Sequence, residues 1–184
     1  MEYSIKEIVR IIGAQANNLQ DSTISILLTD SRRLSFPEQS LFFALKTKTN
    51  DGHRYIKELY KLRVRNFVVS EMLPEFESLG EANSLVVKDT LKALQKLATH
   101  HRKQFNIPVI GITGSNGKTI VKEFLYQLLH KEFNIVRSPR SYNSQLGVPL
   151  SVWQISDKNT LGIFEAGISQ PDEMENLRPI ISPT

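Results

Sequence analysis

Residues 111–119 read Gly111-Ile112-Thr113-Gly114-Ser115-Asn116-Gly117-Lys118-Thr119, placing three of the chain's nine glycines within seven positions. Glycine reaches backbone angles closed to other residues, so such a run can turn its N–H groups inward around phosphate oxygens. The preceding Pro108-Val109-Ile110 is apolar and strand-like, and the residues after Lys118 have helical periodicity. A helix beginning there points its positive end at the same spot. In that arrangement Thr113, Gly114, Ser115, Asn116 and Gly117 wrap the phosphates and Lys118 reaches the β- and γ-phosphoryl groups. The Thr119 hydroxyl takes a place on Mg²⁺. The plainer alternative, a glycine-rich turn with one exposed lysine, explains less, because strand, Gly-Lys-Thr and helix stand in the required order.

Three more groups carry chemistry. Glu165 ends the apolar run Leu161-Gly162-Ile163-Phe164 and precedes Ala166-Gly167. A lone acid at the carboxyl end of a strand sits where open α/β sheets gather ligands; otherwise it is a solvated strand-end carboxylate. The stretch Tyr142-Asn143-Ser144-Gln145-Leu146-Gly147-Val148-Pro149-Leu150 offers a side-chain amide at Asn143. Read plainly, it is a turn with Gly147 in a left-handed conformation and Pro149 starting a helix. Asp30-Ser31-Arg32 offers a hydroxyl and a guanidinium that can fork onto a diphosphate; read plainly, it is an Asx turn beside an exposed arginine pair. At Asp51-Gly52 a simple turn is the better reading, with His53 capping the next helix.

The elements that must hold these residues follow from patterning. Ser4 and Glu7 form a capping box, Ile5, Ile8, Val9 and Ile12 share one helical face, and Gly13 ends it. Residues 23–29, 41–45, 65–70 and 84–87 are β-rich, with a helix over residues 53–62. Asp89 caps a helix carrying Leu91, Leu94, Leu97 and Ala98, which runs out in the polar stretch of residues 99–104. The pattern changes near Asn106 to strand, glycine turn, helix and strand, which implies a parallel sheet. A helix over residues 119–131 is expected to turn Val121, Phe124, Leu125 and Leu128 inward. Strands are expected at 133–136 and 160–164. The fold class is therefore α/β: a small mixed domain over residues 1–104, then the start of a parallel-sheet phosphate-loop domain over 105–184.

Composition narrows the function. The 184 residues include no Cys, which removes disulfide frameworks, thiolate metal sites and cysteine nucleophiles and favours a reducing compartment. No apolar run is long enough to span a bilayer, and the charged N-terminus lacks a signal-peptide core, so a cytoplasmic protein is expected. Net charge is +4, concentrated in residues 1–104, where 16 Lys and Arg face 12 Asp and Glu, against 7 and 7 in the remainder. The basic half suits an anionic small molecule. Its densest basic stretch, residues 57–65, alternates with Leu59, Leu62 and Val64 as on an outer helix face, so no nucleic-acid partner is expected.

In the common phosphate loop a glycine stands five residues before Gly-Lys; here that position is Ile112. The form Gly-x-Thr-Gly-x-x-Gly-Lys-Thr resembles the Mur ligase and folylpolyglutamate synthase superfamily, which joins amino acids to carboxylates at the expense of ATP. Asn143 before Gly147-Val148-Pro149, and Glu165-Ala166-Gly167, fit that resemblance. Ser144 stands where a second Asn is usual, and in Gln170-Pro171-Asp172-Glu173-Met174 the aspartate stands where the family has Gly. The segment from Asp30-Ser31-Arg32 through residues 40–45 to His53 is similar to the N-terminal domain of members acting late on UDP-N-acetylmuramoyl-peptides, where it faces the UDP group. The resemblance implies an ATP- and Mg²⁺-dependent ligase of cytoplasmic peptidoglycan synthesis, supporting cell-wall growth, cell shape and division. Lys118 and Glu165 would be catalytic, Thr119 and Glu165 would hold the metal, and Ser31, Arg32, Asn143 and Ser144 would meet the substrate. The implied substrates are a UDP-N-acetylmuramoyl-tripeptide and D-alanyl-D-alanine. The related addition of lysine or diaminopimelate as third residue is an alternative, as is a non-catalytic nucleotide-binding module. With three strands after residue 105, the chain is expected to be an N-terminal part, inactive alone, with further ligase domains and, in one form of the family, an alanine racemase beyond it.

Overall fold

The computed structural model describes residues 1–16, 19–47, 49–77, 79–170 and 172–184. The chain divides into two compact units, Met1–Leu94 and Gln95–Thr184.

In the first unit, strand β1 (Tyr3–Ser4) runs into helix α1 (Ile5–Ile12). The capping box forms as expected: the Glu7 N–H donates to Ser4 Oγ at 3.3 Å, and the Ser4 N–H donates to Glu7 Oε2 at 2.8 Å. Gly13 closes the helix in the left-handed region, at φ 71°. Ile5, Ile8 and Ile12 are buried. The β-rich stretch 23–29 is two strands rather than one, β2 (Thr23–Ile24) and β3 (Ile26–Leu28). They part at Ser25, whose N–H donates to the Gln39 carbonyl at 3.1 Å. β2 pairs antiparallel with β1, whereas β3 opens a parallel sheet with β4 (Ser40–Phe43), β5 (Asn66–Val69) and β6 (Asn83–Val86), side by side in chain order. All four residues of β4 and of β5 are buried, as strands covered on both faces require. One face packs Phe42 and Phe67, edge to face at 6.4 Å, against Ile56 and Leu59 of helix α2 (Ile56–Lys61).

Asp51 does make the expected turn, accepting the His53 N–H at 3.0 Å. That bond, with the one from the ring, holds the Asp51 carboxyl below its usual range. The buried His53 ring does more than cap. Its Nδ1 lies 2.6 Å from Asp51 Oδ1, and its Nε2 accepts the Ser70 N–H at 3.1 Å, with Ser70 Oγ at 3.3 Å. Asp, His and Ser here have the outline of a hydrolytic triad. Because a backbone N–H occupies the Nε2 lone pair, the ring latches the entry of α2 to the end of β5 instead of activating the hydroxyl.

Helix α3 (Thr90–Arg102), capped by Asp89 through the Lys92 N–H at 3.0 Å, contains the division between the units. The second unit holds strands β7 (Val109–Ile112), β8 (Ile135–Arg137) and β9 (Leu161–Glu165) as a parallel sheet in the order β7-β9-β8. Helix α4 (Lys118–Leu129) joins β7 to β8, and α5 (Gly147–Val152) joins β8 to β9. α6 (Glu173–Ile181) follows β9. Val148 and Val152 of α5 with Leu177, Ile180 and Ile181 of α6 cover one sheet face around Phe164. Leu125 and Leu129 of α4 cover the other around Ile112, Leu161 and Ile163.

α4 does not present the expected face. Leu125 turns inward, but Phe124 is 59% and Leu128 75% exposed, with Val121 and Ile120 also outside. The inward position one turn after Lys118 belongs to Lys122, which is 0% exposed. Apolar periodicity chose one phase of the helix; the glycine loop and the contacts of Lys122 chose another.

The polar end of α3 is buried rather than trailing. The Arg102 guanidinium donates to the carbonyls of Phe105 at 2.7 Å, Ile181 at 3.0 Å and Ser182 at 3.1 Å. The His101 Nε2 lies 3.0 Å from the Ile155 carbonyl, and its ring packs 4.5 Å from that of Trp153. Burial pushes the His101 imidazole down from 6.5 to about 4. The unfolded chain therefore takes up this proton first, and stability of the second unit is expected to fall as pH drops from 6.5 to about 4. The loss reaches about 3 kcal/mol and is absent above that window. Denaturant titrations across the window should show the slope in the parent and its loss in His101→Gln. Equal slopes in both would refute it.

Candidate active site

The phosphate loop links β7 to α4 and takes its shape from two glycines, Gly114 at φ 142° and Gly117 at φ 78°, angles that strain other residues. Lys118 curls back over the loop, its Nζ donating to the Gly114 carbonyl at 2.7 Å. Thr113, Gly114, Ser115 and Asn116 are exposed around it. Thr119 on the first turn of α4 faces the sheet and donates from Oγ1 to Glu165 Oε2 at 3.1 Å. Glu165 is the last residue of the central strand β9, at the carboxyl end of the sheet, and it is 0% exposed. Its N–H donates to Ser138 Oγ at 3.0 Å. The Asn143 Nδ2 stands 3.5 Å from the same Oε2.

Thr119, Asn143 and Glu165 therefore converge from three places in sequence, with Lys118 next to Thr119 at the start of α4. Ser144 is in the neighbouring turn, where its Oγ accepts the N–H of Gly147, the first residue of α5, at 3.1 Å. Gly147 is not left-handed; a side chain there would meet the Tyr142 backbone at 3.0 Å, so close approach is what requires glycine. Pro149 falls inside the first turn of α5, where its missing N–H costs nothing. In the segment of residues 170–174, Pro171 lies outside the described residues. Glu173 turns back to accept the Ser169 N–H at 2.6 Å and the Gln170 N–H at 3.0 Å, bonds that hold its carboxyl below the usual range.

The patterning missed Lys122. Its Nζ lies 3.0 Å from Glu165 Oε1 and 3.2 Å from Glu123 Oε1, and donates to the carbonyls of Ser138 at 2.9 Å and Arg140 at 2.5 Å. The signal available was its position: Lys118, Thr119 and Lys122 share one helical face.

A small hard cation fits this donor set. Glu165 Oε1 is buried without a hydrogen-bond partner, although an ammonium faces it at 3.0 Å, and Oε2 sits beside the Thr119 hydroxyl. Among the described residues no group of three or more acids and histidines could hold a metal alone. Mg²⁺ sites of one carboxylate and one hydroxyl are completed by nucleotide phosphates and water.

Residues 112–184 match the Mur ligase middle domain. The chain is 29% identical over 183 residues to the UDP-N-acetylmuramoyl-tripeptide–D-alanyl-D-alanine ligase of Bacillus subtilis, covering 98% of this chain and 39% of that protein. The ligase of that name from Borreliella burgdorferi is 32% identical over 197 residues, covering 100% and 42%. The crystal structure of MurF from Acinetobacter baumannii superposes with a TM-score of 0.90 at 25% identity, over 100% of this chain and 40% of that one. Residues 112–184 are thus a Mur ligase middle domain, and the chain as a whole is similar to ligases of that family. The MurF ligase of Thermotoga maritima in complex with ADP is similar over 85% of this chain and 35% of that one, with a TM-score of 0.74 and 27% identity. The chain thus spans about two-fifths of the length of the Mur ligases it matches.

The matched middle-domain stretch contains the phosphate-loop residues from Thr113 to Thr119, Lys122, Asn143, Ser144 and Glu165. Ser31 and Arg32 lie outside it, in the first unit, where Asp30 caps a short 3-10 turn over Ser31–Arg33. The Arg32 side chain is 87% exposed and forks onto Asp30, Nε at 2.9 Å from Oδ1 and Nη2 at 2.8 Å from Oδ2. That contact, first of all, holds the Asp30 carboxyl below its usual range. The Asx turn forms, and the exposed guanidinium is paired with its Asp30. No helix among the described residues is long and apolar enough to cross a membrane.

Proposed function

We propose that this chain forms the UDP-substrate unit and the ATP-binding half-site of a cytoplasmic ligase that joins D-alanyl-D-alanine to UDP-N-acetylmuramoyl-tripeptide. The observation that carries the reading is the junction of loop and sheet: Lys118 and Thr119 open α4 behind a glycine-shaped loop, and Thr119 meets the buried Glu165 at 3.1 Å. The relatives from Bacillus subtilis and Borreliella burgdorferi are D-alanyl-D-alanine ligases by name, which favours the dipeptide as the incoming amine over lysine or diaminopimelate.

The tripeptide's terminal carboxylate oxygen attacks the γ-phosphorus of ATP, forming an acyl phosphate as the bond to ADP breaks. The amine of D-alanyl-D-alanine then attacks the acyl carbon, releases phosphate and loses a proton, leaving an amide. Lys118, freed from the Gly114 carbonyl, places its charge on the transferring phosphoryl oxygens, where most of the barrier is lowered. The loop N–H groups and the positive end of α4 hold the phosphates already bound. Thr119 and Glu165 would hold Mg²⁺, which when bound neutralises phosphate charge. Asn143 keeps Glu165 Oε2 turned toward Thr119.

Phosphate release by the protein carrying this chain, given tripeptide substrate, ATP and Mg²⁺, should require D-alanyl-D-alanine. Turnover that is indifferent to the dipeptide, or that answers to lysine or diaminopimelate instead, refutes the reading. The first unit's role is tested at Arg32. Loss of one guanidinium–diphosphate fork in Arg32→Ala should weaken UDP-substrate binding by about 1.5–3 kcal/mol, ten- to a hundredfold, and leave ATP binding unchanged. Equal losses for both ligands by calorimetry would remove the assignment.

A further inference from the structure

We infer that Lys122 is a positioning residue for the phosphate site: it fixes the Glu165 carboxylate so that a single oxygen, Oε2, is offered to a divalent cation arriving with the nucleotide. The inference rests on the nucleotide reading of the loop given above.

A lysine with no solvent exposure is rare and costly unless its charge is met. Lys122 is met from three segments at once. Glu123 is its neighbour on α4. The carbonyls of Ser138 and Arg140 come from the segment after β8. Glu165 ends β9. The ammonium therefore ties the helix that follows the phosphate loop to the strand that carries the acid. The two carboxylate oxygens are divided between different partners. Oε1 faces Nζ at 3.0 Å, and Oε2 receives the Thr119 hydroxyl at 3.1 Å, with the Asn143 amide at 3.5 Å.

The division has a chemical consequence. A carboxylate free to rotate can chelate with both oxygens, which suits larger cations with adaptable shells. Mg²⁺ demands near-octahedral geometry and takes carboxylates one oxygen at a time. With Oε1 held by Lys122, Glu165 is restricted to the second mode. Lys122 also offsets the charge of Glu165, so the pair by itself attracts a cation weakly, and the nucleotide phosphates must supply the rest. Lys122 touches neither nucleotide nor metal in this account; it acts through Glu165, as outer partners orient metal ligands elsewhere.

The test uses residues 1–184, Lys122→Met and the non-hydrolysable probe adenosine 5′-(β,γ-imido)triphosphate, titrated by calorimetry with and without Mg²⁺. In the parent, Mg²⁺ should tighten binding of the probe. In Lys122→Met the gain from Mg²⁺ should fall about tenfold or more, the range set by loss of an outer-shell partner, while affinity without Mg²⁺ stays within about twofold. A residue that only supported the fold would lower both affinities together, and that result overturns the proposal, as does an unchanged gain or a larger one, the result expected if Lys122 acts only by offsetting the charge of Glu165. If Lys122→Met does not fold, the double variant Lys122→Met/Glu165→Gln decides. Recovery of a cooperative folded state shows that the lysine serves the carboxylate. Continued failure assigns it to the Ser138 and Arg140 carbonyls and overturns the proposal. A parent that binds no probe in either buffer overturns the nucleotide reading itself and this inference with it, a failure that appears without any variant.

Discussion

Lys118→Ala should lower nucleotide-dependent turnover by about 10²- to 10³-fold, the usual cost of removing one donor aimed at charge developing in a transition state. Stability should hardly change. Lys118 is only half-buried, and the one hydrogen bond it makes, to the Gly114 carbonyl at 2.7 Å, is worth about 1 kcal/mol. Function and folding are thus separable at this residue, because its donor points along the loop and not into the core. Turnover and ligand-free melting temperature, measured together on the protein carrying this chain, check the expectation. A fall of many degrees without ligand would make Lys118 a structural loop anchor and withdraw it from the site.

The second large effect is the reverse, a stability loss at a residue for which a solvated strand-end acid is the plainer alternative to a ligand. Glu165→Ala removes the buried carboxylate facing Lys122 and leaves an ammonium enclosed at zero exposure, its charge met by the partly exposed Glu123 alone. Breaking a buried pair in this way costs about 3–5 kcal/mol, whereas truncating an exposed acid costs within about 0.5 kcal/mol. For a unit of this size the difference is a fall of about 15–30 °C in melting temperature. Urea titration of residues 1–184 followed by the fluorescence of Trp153, the chain's one tryptophan, reads the second unit. A loss below about 1 kcal/mol would mean that the Ser138 and Arg140 carbonyls satisfy the ammonium unaided. The pair would then be incidental to stability. The geometry argues otherwise, since four oxygens surround three N–H bonds and, of the two carboxylates among them, only Glu165 is buried; Glu123 is 42% exposed and also pairs with Arg137 at 3.2 Å.

Much of this protein was legible without coordinates, and what was legible is local. The Ser4–Glu7 capping box, the Gly13 terminator and the Asp89 cap are bonds between residues three or four apart, so spacing determines them. The glycine spacing 111-114-117 before Lys118-Thr119 likewise determined a loop ending in a helix, because backbone angles and helix starts are properties of a few consecutive residues. The apolar runs placed the strands, and Glu165 at the end of one of them, because a strand buried on both faces must be apolar throughout.

What required the tertiary structure is every feature in which distant segments meet. Apolar periodicity on α4 pointed to Phe124 and Leu128 as core, yet they face outward and Lys122 faces in. The helix phase is set where Thr119 and Lys122 meet Glu165, which lies 46 residues from Thr119 in sequence. The polar end of α3 read as a tail, yet Arg102 reaches the carbonyls of Ile181 and Ser182, about eighty residues on. Burial of a charge is decided by whether an opposite charge or a set of carbonyls waits at that point in space. Periodicity along a chain counts the apolar residues on each face, but it cannot see the acid, held at the end of another strand, that turns a lysine inward.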